Sequence, residues 1–259
     1  MVKAIFFDID GTLVSFTTGT ISATTQSVIN QLHNQGIKIF IATGRAFSDV
    51  PGLEGLAFDG YITSNGACNL NAKGEIIAQH IISKKSIAKL ALYLKEKPFP
   101  CEFATNKGTF INYADDDVLT LSNLINVPVP PIISVEQIME HDILQLGAFV
   151  DVNTEKELIR DILTDCESSR WYHIFADINV KNCNKAAGVD WFLSYFGIER
   201  AFSMAFGDGE NDIPMLKHAA IGVAMGNASD EVKQIADFVT DTADEDGIIK
   251  ALKYFKVIR

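Results

Sequence analysis

The sequence predicts an α/β protein with a parallel-sheet core and an inserted α+β domain. At both ends of the chain, short apolar segments typical of buried strands alternate with amphipathic helices. These strands run into polar or glycine-rich loops, as strands do at the carboxyl edge of a parallel sheet. The middle of the chain, from about residue 83 to 180, has runs of strands and helices without such loops, which predicts a separate domain.

The first strand–helix–strand unit lies near the N-terminus. The segment KAIFF predicts a buried strand because its residues are mainly β-branched or aromatic. The segment SATTQSVINQLHNQG predicts a helix with Ser22 as its N-cap and Gly36 directly after its C-terminal end. The segment IKIFIATGR predicts a second buried strand that ends at Thr43. Two strands connected in this way are parallel, so their carboxyl ends share one edge of the sheet.

The C-terminal third repeats this alternation. Helices are predicted in NKAAGVDWFLSYFG, NDIPMLKHA and SDEVKQIA, and strands in SMAFGDG, IGVAM and DFVTD. In the middle of the chain, SKKSIAKLALYLKEK and TEKELIRDIL predict helices, whereas CEFAT, GTFINY, LQLGAFVDV and WYHIFADINV predict strands. We therefore assign residues 1–82 and 181–259 to a Rossmann-like core domain and residues 83–180 to an inserted α/β cap domain.

Composition limits the classes of partner. The 259 residues carry a formal net charge of −11, so nucleic acid and anionic membrane surfaces are not expected to bind. The four cysteines form no C-x-x-C pair, which favours a reducing compartment, and no segment has the length of a signal-peptide core or a membrane span. We expect a cytoplasmic protein, a monomer or weak homo-oligomer, that acts on a small molecule.

The end of the first strand carries two carboxylates, Asp8 and Asp10, one residue apart. If the chain stays extended there, both side chains project from the same face and repel each other. Such a pair is tolerated when a cation neutralises it, when one group keeps its proton, or when both act in a reaction. A solvated strand end followed by a turn is the alternative, because Asp and Gly are common turn residues.

Four loops are expected at the same edge of the sheet: DIDGT, TGR, NK and GDGEND. In this order they resemble the motifs of the haloacid dehalogenase superfamily of phosphotransferases. The long insertion between the second and third motifs, and the segment ITSNGA, resemble in particular the Cof-like phosphatases, which have a large α/β cap. The resemblance spans the whole chain and implies a phosphatase that hydrolyses small phosphate monoesters, most of all sugar phosphates.

The resemblance implies roles for the two carboxylates at the first strand end. Asp8 would attack phosphorus and form an aspartyl-phosphate intermediate, which splits one difficult step into two. Asp10 would protonate the leaving alcohol and then take a proton from the attacking water. Two other functions stay open: phosphoryl transfer to a sugar hydroxyl, as in a mutase, and a non-catalytic phospho-acceptor similar to a receiver module. The cap and the second acidic loop, GDGEND, count against the receiver.

A cation is expected between Asp8 and the phosphate, and hard oxygen ligands select Mg²⁺. The ligands that the resemblance implies are the Asp8 carboxylate, the backbone carbonyl of Asp10 and Asp208. Asp212 would support the site by contacting a metal-bound water or by holding the residues that bind the metal. An EF-hand calcium loop is the competing reading of GDGEND, but Ile213 occupies the position where that loop needs glycine.

The phosphate group itself is expected to meet a set of uncharged donors and one cation. The uncharged donors are the side chains of Thr43 and Asn211 and the backbone N–H groups of Ile9 and Gly44, with Gly44 placed at the start of a helix. The cation is Lys185, whose position in the first turn of a helix is unfavourable for a positive charge and therefore suggests a function. Asn184, directly before it, departs from the small residue that is usual in the family.

Overall fold

The computed structural model describes residues 1–50, 53, 55–125 and 127–259, apart from the side chain of Trp171. The strands, in chain order, are β1 (Ala4–Phe7), β2 (Lys38–Ala42), β3 (Gly60–Thr63), β4 (Cys68–Asn71), β5 (Ile76–Gln79), β6 (Cys101–Thr105), β7 (Gly108–Ile111), β8 (Ile143–Ala148), β9 (Cys166–Tyr172), β10 (Phe175–Val180), β11 (Ser203–Gly207), β12 (Ile221–Ala224) and β13 (Phe238–Val239). The α-helices are α1 (Ala23–Asn34), α2 (Lys84–Glu96), α3 (Asp116–Ile125), α4 (Val135–Ile138), α5 (Val152–Glu157), α6 (Lys185–Tyr195), α7 (Ile213–His218), α8 (Asp230–Ile235) and α9 (Gly247–Tyr254).

An eight-stranded sheet forms the core of the fold, in the order β13-β12-β11-β1-β2-β3-β4-β5 among the residues described. The strands from β13 to β3 are parallel, and β4 runs antiparallel to β3. The predicted α/β class with a parallel-sheet core is therefore confirmed. Strands β3, β4 and β5 were not predicted, and they extend the sheet beyond the first strand–helix–strand unit.

Alternation along β1 places apolar side chains on both faces of this sheet. Ile5 and Phe7 pack on one face in a cluster with residues of α1 and α9, whereas Ala4 and Phe6 pack on the other with residues of α6 and α7. All four side chains are fully buried. Burying one such Phe contributes on the order of 1.5–3 kcal/mol. The two apolar layers fix β1 at the centre of the sheet and, with it, the loop that follows.

Local sequence signals set the ends of the helices that border this sheet. The Ser22 side chain accepts a hydrogen bond from the backbone N–H of Thr25, and Gly36 has a positive φ of 77° after the end of α1. Asn184 caps α6, because its side chain accepts from the N–H of Ala187. The predicted caps of α1 are confirmed, and the cap at Asn184 shows why a polar residue precedes Lys185.

A second, antiparallel sheet has the order β7-β6-β8-β10-β9 in the described part of the chain. One face packs against α2 and the segment 158–163, whereas the other carries polar side chains such as Glu102, Gln145 and Asn179. The prediction of one strand in WYHIFADINV is wrong. β9 ends at Tyr172, a tight turn follows, and β10 begins at Phe175.

The chain divides into two compact units. The first comprises residues 1–45, 50–78 and 184–259 and contains the eight-stranded sheet; the second comprises residues 46–49 and 79–183 and contains the antiparallel sheet. The roles expected for them, a catalytic core and a cap, remain predictions. Among the helices described, none combines the length and the apolar character that a membrane span requires.

Candidate active site

The loop after β1 places its two carboxylates in different surroundings. Asp8 is 6% exposed, and its Oδ1 accepts a hydrogen bond from Lys185 Nζ at 2.6 Å. Asp10 is more exposed and forms a two-pronged ion pair with Arg45, with distances of 2.7 Å from Nε and 2.8 Å from Nη2. The sequence pattern TGR contains Arg45, but sequence reasoning gave it no role. Each of the two acids therefore pairs with a cation of its own, which offsets the expected repulsion between them.

Lys185 is buried without exposed surface in the first turn of α6. Its Nζ donates to Asp8 Oδ1 and to Asp212 Oδ1, both at 2.6 Å. Burial alone lowers the pKa of a lysine, but the charges of Asp212 and Asp8 outweigh it and hold the pKa of Lys185 above its ordinary value. Lys185 therefore stays a cation, and it connects the end of β1 with the loop after β11.

Asp212 is fully buried and organises the loop after β11. Its Oδ2 accepts from the backbone N–H groups of Asp208 and Gly209, each at 3.0 Å, while its Oδ1 accepts from Lys185. Both oxygens are therefore engaged by protein donors. Gly207 is required beside it, because a Cβ there would lie 2.5 Å from the Asp212 carboxyl carbon.

Asp208 lies next to these groups with two neutral partners of its own. Thr12 donates to its Oδ1 at 3.0 Å, and Asn227 donates to its Oδ2 at 2.9 Å. Burial, and then the charge of Asp212, raise the pKa of Asp208 to about 7. Sequence reasoning missed Thr12 and Asn227. Thr12 belongs to the DIDGT motif and could have been inferred from it, whereas no local pattern marks Asn227.

The carboxylates of this site fit a divalent cation. Asp8, Asp208 and Asp212 each offer an oxygen, and these oxygens lie within 4.8 Å of one another. Burial and the neighbouring acids raise the pKa of Asp8 well above its ordinary value, although Lys185 acts in the opposite direction. Carboxylate oxygens are hard ligands, so this group suits a hard divalent cation, which takes oxygen ligands from protein and water.

The expected phosphate donors lie around the ends of β1 and β2. Thr43 is 1% exposed, and its Oγ1 accepts from the N–H of Arg45 at 3.1 Å, which leaves the hydroxyl hydrogen available. The N–H of Ile9 donates to no acceptor among the residues described. The expectation of a helix starting at Gly44 is wrong: residues 44–46 are not helical, and the first helical turn described after them is the short 3-10 turn Phe47–Asp49. A helix dipole therefore does not act on a phosphate at Gly44.

Asn211 joins this group through a residue that sequence reasoning did not single out. Its Nδ2 donates to Asn65 Oδ1 at 3.0 Å. Both amides lie against Gly44, because a Cβ there would be 3.2 Å from Asn65 Oδ1 and 3.4 Å from Asn211 Nδ2. Asn65 belongs to the segment ITSNGA, whose resemblance to known phosphatases was the only signal for it. The site thus combines acids, one buried lysine and a set of neutral donors.

Comparison with known proteins agrees with this arrangement. A model of the haloacid dehalogenase-like hydrolases matches residues 5–252. YkrA of Bacillus subtilis (strain 168), whose name provisionally makes it a phosphatase, is 31% identical over 99% of both chains. Among solved structures, the phosphatase BT1666 of Bacteroides thetaiotaomicron is 40% identical with a TM-score of 0.92, covering 100% of this chain and 96% of that one. The subclass IIB sugar phosphatase BT4131 is also 40% identical, with a TM-score of 0.87 and coverage of 99% and 100%.

Proposed function

This chain belongs to the haloacid dehalogenase-like hydrolase family and is a phosphoric monoester hydrolase, and we propose that its substrates are small phosphorylated metabolites, sugar phosphates first among them. The likeness to a sugar phosphatase over nearly the whole of both chains supports this substrate class. The observation that carries the proposed mechanism is the buried contact of Lys185 with Asp8 and Asp212 at the carboxyl end of the sheet. We propose the cytoplasm as the compartment, which the four free, buried cysteines support.

Asp8 is the proposed nucleophile. Lys185 holds its Oδ1, and Oδ2 accepts no hydrogen bond from the residues described, so Oδ2 is the oxygen available for attack. In the first step a bond forms between this oxygen and phosphorus, and the bond from phosphorus to the alcohol oxygen breaks. In the second step water attacks the phosphorus of the aspartyl phosphate, which releases phosphate and restores the carboxylate of Asp8.

Asp10 is the proposed proton carrier for both steps. It gives a proton to the departing alcohol oxygen and later takes one from the attacking water, so its charge is restored at the end of the cycle. Both of its oxygens accept hydrogen bonds from Arg45, and this ion pair must open before Asp10 can deliver a proton. Arg45 is thus placed to pair with the Asp10 carboxylate between the two proton transfers, after the proton has gone to the alcohol and before one is taken from water.

Mg²⁺ is the proposed cofactor. When bound, it supplies positive charge that offsets the repulsion between an attacking carboxylate and a phosphate dianion. Asp8, Asp208 and the backbone carbonyl of Asp10 would hold it. Both oxygens of Asp212 accept hydrogen bonds, one from Lys185 and the other from two backbone N–H groups. This supports the proposal that Asp212 does not bind the metal directly but holds the residues around it in place.

The test is a phosphate-release screen over sugar phosphates, nucleotides and phosphorylated cofactors in the presence of Mg²⁺. The substrate that is turned over best is then used, labelled with ³²P, in reactions quenched with acid. We expect label on the protein in the wild type and neither label nor turnover in Asp8→Asn. Asp116→Asn, which changes an exposed acid at the start of α3, is the matched control and should behave as the wild type.

Three results would contradict this proposal. Turnover by Asp8→Asn at more than a trace of the wild-type kcat would exclude Asp8 as the nucleophile. Loss of substrate without an equal amount of released phosphate would instead show transfer to a second hydroxyl group, which is the activity of a phosphotransferase. A clear preference for nucleotides or phosphorylated cofactors would contradict the proposed substrate class.

A further inference from the structure

Three consecutive residues after β3 have left-handed backbone conformations. Their φ angles are 48° at Ser64, 52° at Asn65 and 97° at Gly66. We call these three residues the left-handed turn, and all three are buried. The conformation costs a residue other than glycine on the order of 1–3 kcal/mol, although asparagine tolerates it better than most. Buried strain of this kind persists only where the surroundings impose it, and it is concentrated at functional sites.

The left-handed turn is bound to the loop that carries the expected phosphate donors. Ser64 donates its backbone N–H to the carbonyl of Arg45 at 2.9 Å, and Asn65 donates to the carbonyl of Thr43 at 3.1 Å. Gly66 lies against the start of α6, where a Cβ would be 2.2 Å from the carbonyl oxygen of Asn184. The turn is therefore fixed between residues 43–45 and the helix that presents the buried lysine.

The side chain of Asn65 has one satisfied end and one open end. Its Oδ1 accepts from Asn211 Nδ2, whereas its Nδ2 donates to no acceptor in the described part of the chain. The residue is only 7% exposed, and a Cβ on Gly44 would lie 3.4 Å from this Nδ2. The side chain has little exposed surface and its Nδ2 has no protein acceptor there, so a ligand with acceptor oxygens would supply the missing hydrogen bond.

We propose that Asn65 is a phosphate-binding residue and that it also orients Asn211. Its Nδ2 donates to a phosphoryl oxygen, and its Oδ1 holds one hydrogen of Asn211 Nδ2 so that the other hydrogen points to the same group. Phosphoryl oxygens only accept hydrogen bonds, so two amide donors suit them without adding charge beside Lys185. This inference rests on the proposed function.

Two substitutions of Asn65 separate its two ends. Asn65→Gly keeps the left-handed backbone and removes the amide. Asn65→Asp keeps an oxygen that can accept from Asn211 but replaces the donor with a carboxylate oxygen, which repels phosphate. Asn182→Gly is the matched control, because Asn182 is also left-handed, with a φ of 61°, and is exposed.

The measurements are the Kd of inorganic phosphate by calorimetry with Mg²⁺ present, and kcat and KM for p-nitrophenyl phosphate. We expect the Kd to rise about 10-fold or more in Asn65→Gly, since a hydrogen bond to a charged group is worth about that factor or more. The rise should be larger in Asn65→Asp, and Asn182→Gly should match the wild type. The unfolding temperature of each variant is recorded, and Asn65→Asp tests the inference by itself if Asn65→Gly does not fold.

The outcomes distinguish this inference from the proposed function. A wild-type Kd in Asn65→Asp together with a weakened Asn65→Gly would mean that Asn65 acts only through Asn211, which would overturn direct binding. Wild-type behaviour in both variants would overturn the inference and leave the proposed function intact. Failure of the wild type to bind phosphate and to release it from any substrate would overturn the proposed function, and the inference with it.

Discussion

Replacing Glu102 by glutamine is expected to remove a pH dependence of stability in the second unit. Glu102 lies on β6 directly opposite Gly147 of β8, and a Cβ on that glycine would be 3.1 Å from Glu102 Oε2. Burial first, and then the charges of Asp177 and Asp49, raise the pKa of Glu102 from 4.5 to about 7. Between about pH 4.5 and about pH 7, the folded protein therefore holds a proton at Glu102 that the unfolded chain has already released.

The sign and size of the effect follow from the two pKa values. Because the folded pKa is the higher one, the free energy of unfolding falls as the pH rises from about 4.5 to about 7 and then levels off. At about 1.4 kcal/mol per pH unit, the loss is about 1.4 kcal/mol at pH 5.5 and about 3 kcal/mol at pH 8. Glu102→Gln lacks this loss, so its stability relative to the wild type should increase by about 2 kcal/mol between these two pH values.

Urea denaturation of wild type and Glu102→Gln at pH 5.5 and pH 8 measures this difference. Glu140→Gln, which alters an exposed side chain of the same unit, is the matched control and should show no comparable change between the two pH values. If Glu102→Gln follows the wild type at both pH values within about 0.5 kcal/mol, burial does not raise the pKa of Glu102, and the reasoning is refuted.

Three further predictions concern the metal, the thiols and the left-handed turn. EDTA is expected to abolish phosphate release and Mg²⁺ to restore it, whereas Ca²⁺ should not, because its larger coordination shell misplaces the attacking oxygen; full activity in metal-free buffer would contradict the ligand set. Burial raises the pKa of the thiols of Cys166 to about 12 and of Cys183 to about 11, so Ellman's reagent at pH 8 should modify none of the four cysteines until urea is added. Gly66→Ala should lower the free energy of unfolding by more than about 2 kcal/mol, since its Cβ meets a backbone oxygen, whereas Gly197→Ala, with a φ of 63° and open space, should cost about 1 kcal/mol; equal losses in the two variants would contradict the close contact.

Sequence reasoning succeeded where a signal is local and repeated. The apolar segments before Asp8 and Asp208 are short, end abruptly and recur in a strand–helix order, so the parallel sheet and the meeting of these acids at one edge could be predicted. The N-cap of α1 at Ser22 was predicted for the same reason, because capping depends on a few adjacent residues. The family and the phosphatase activity, now shown by the comparisons, depended on four such loops in the right order.

The errors arose where the structure depends on contacts between distant residues. The turn between β9 and β10 consists of His173 and Ile174, which lack the usual turn chemistry, so two strands were predicted as one. At Gly44 the chain turns to accept hydrogen bonds from the segment after β3 and forms no helix. The open amide of Asn65 depends on a left-handed backbone that no composition rule predicts. The roles assigned to the individual site residues stay predictions.

The position of β1 in the sheet has a consequence for the order in which the chain folds during synthesis. Ala4 of β1 pairs with Lys38 of β2 on one side but with Ser203 of β11 on the other. At about 5–20 residues per second, a ribosome needs roughly 10–40 s to make the intervening segment. During that time one edge of β1 has no partner strand, whereas the second unit is nearly continuous in sequence and can complete its own sheet. We therefore expect the inserted unit to fold before the unit that surrounds it, with the newly made first strand depending on chaperones until β11 arrives.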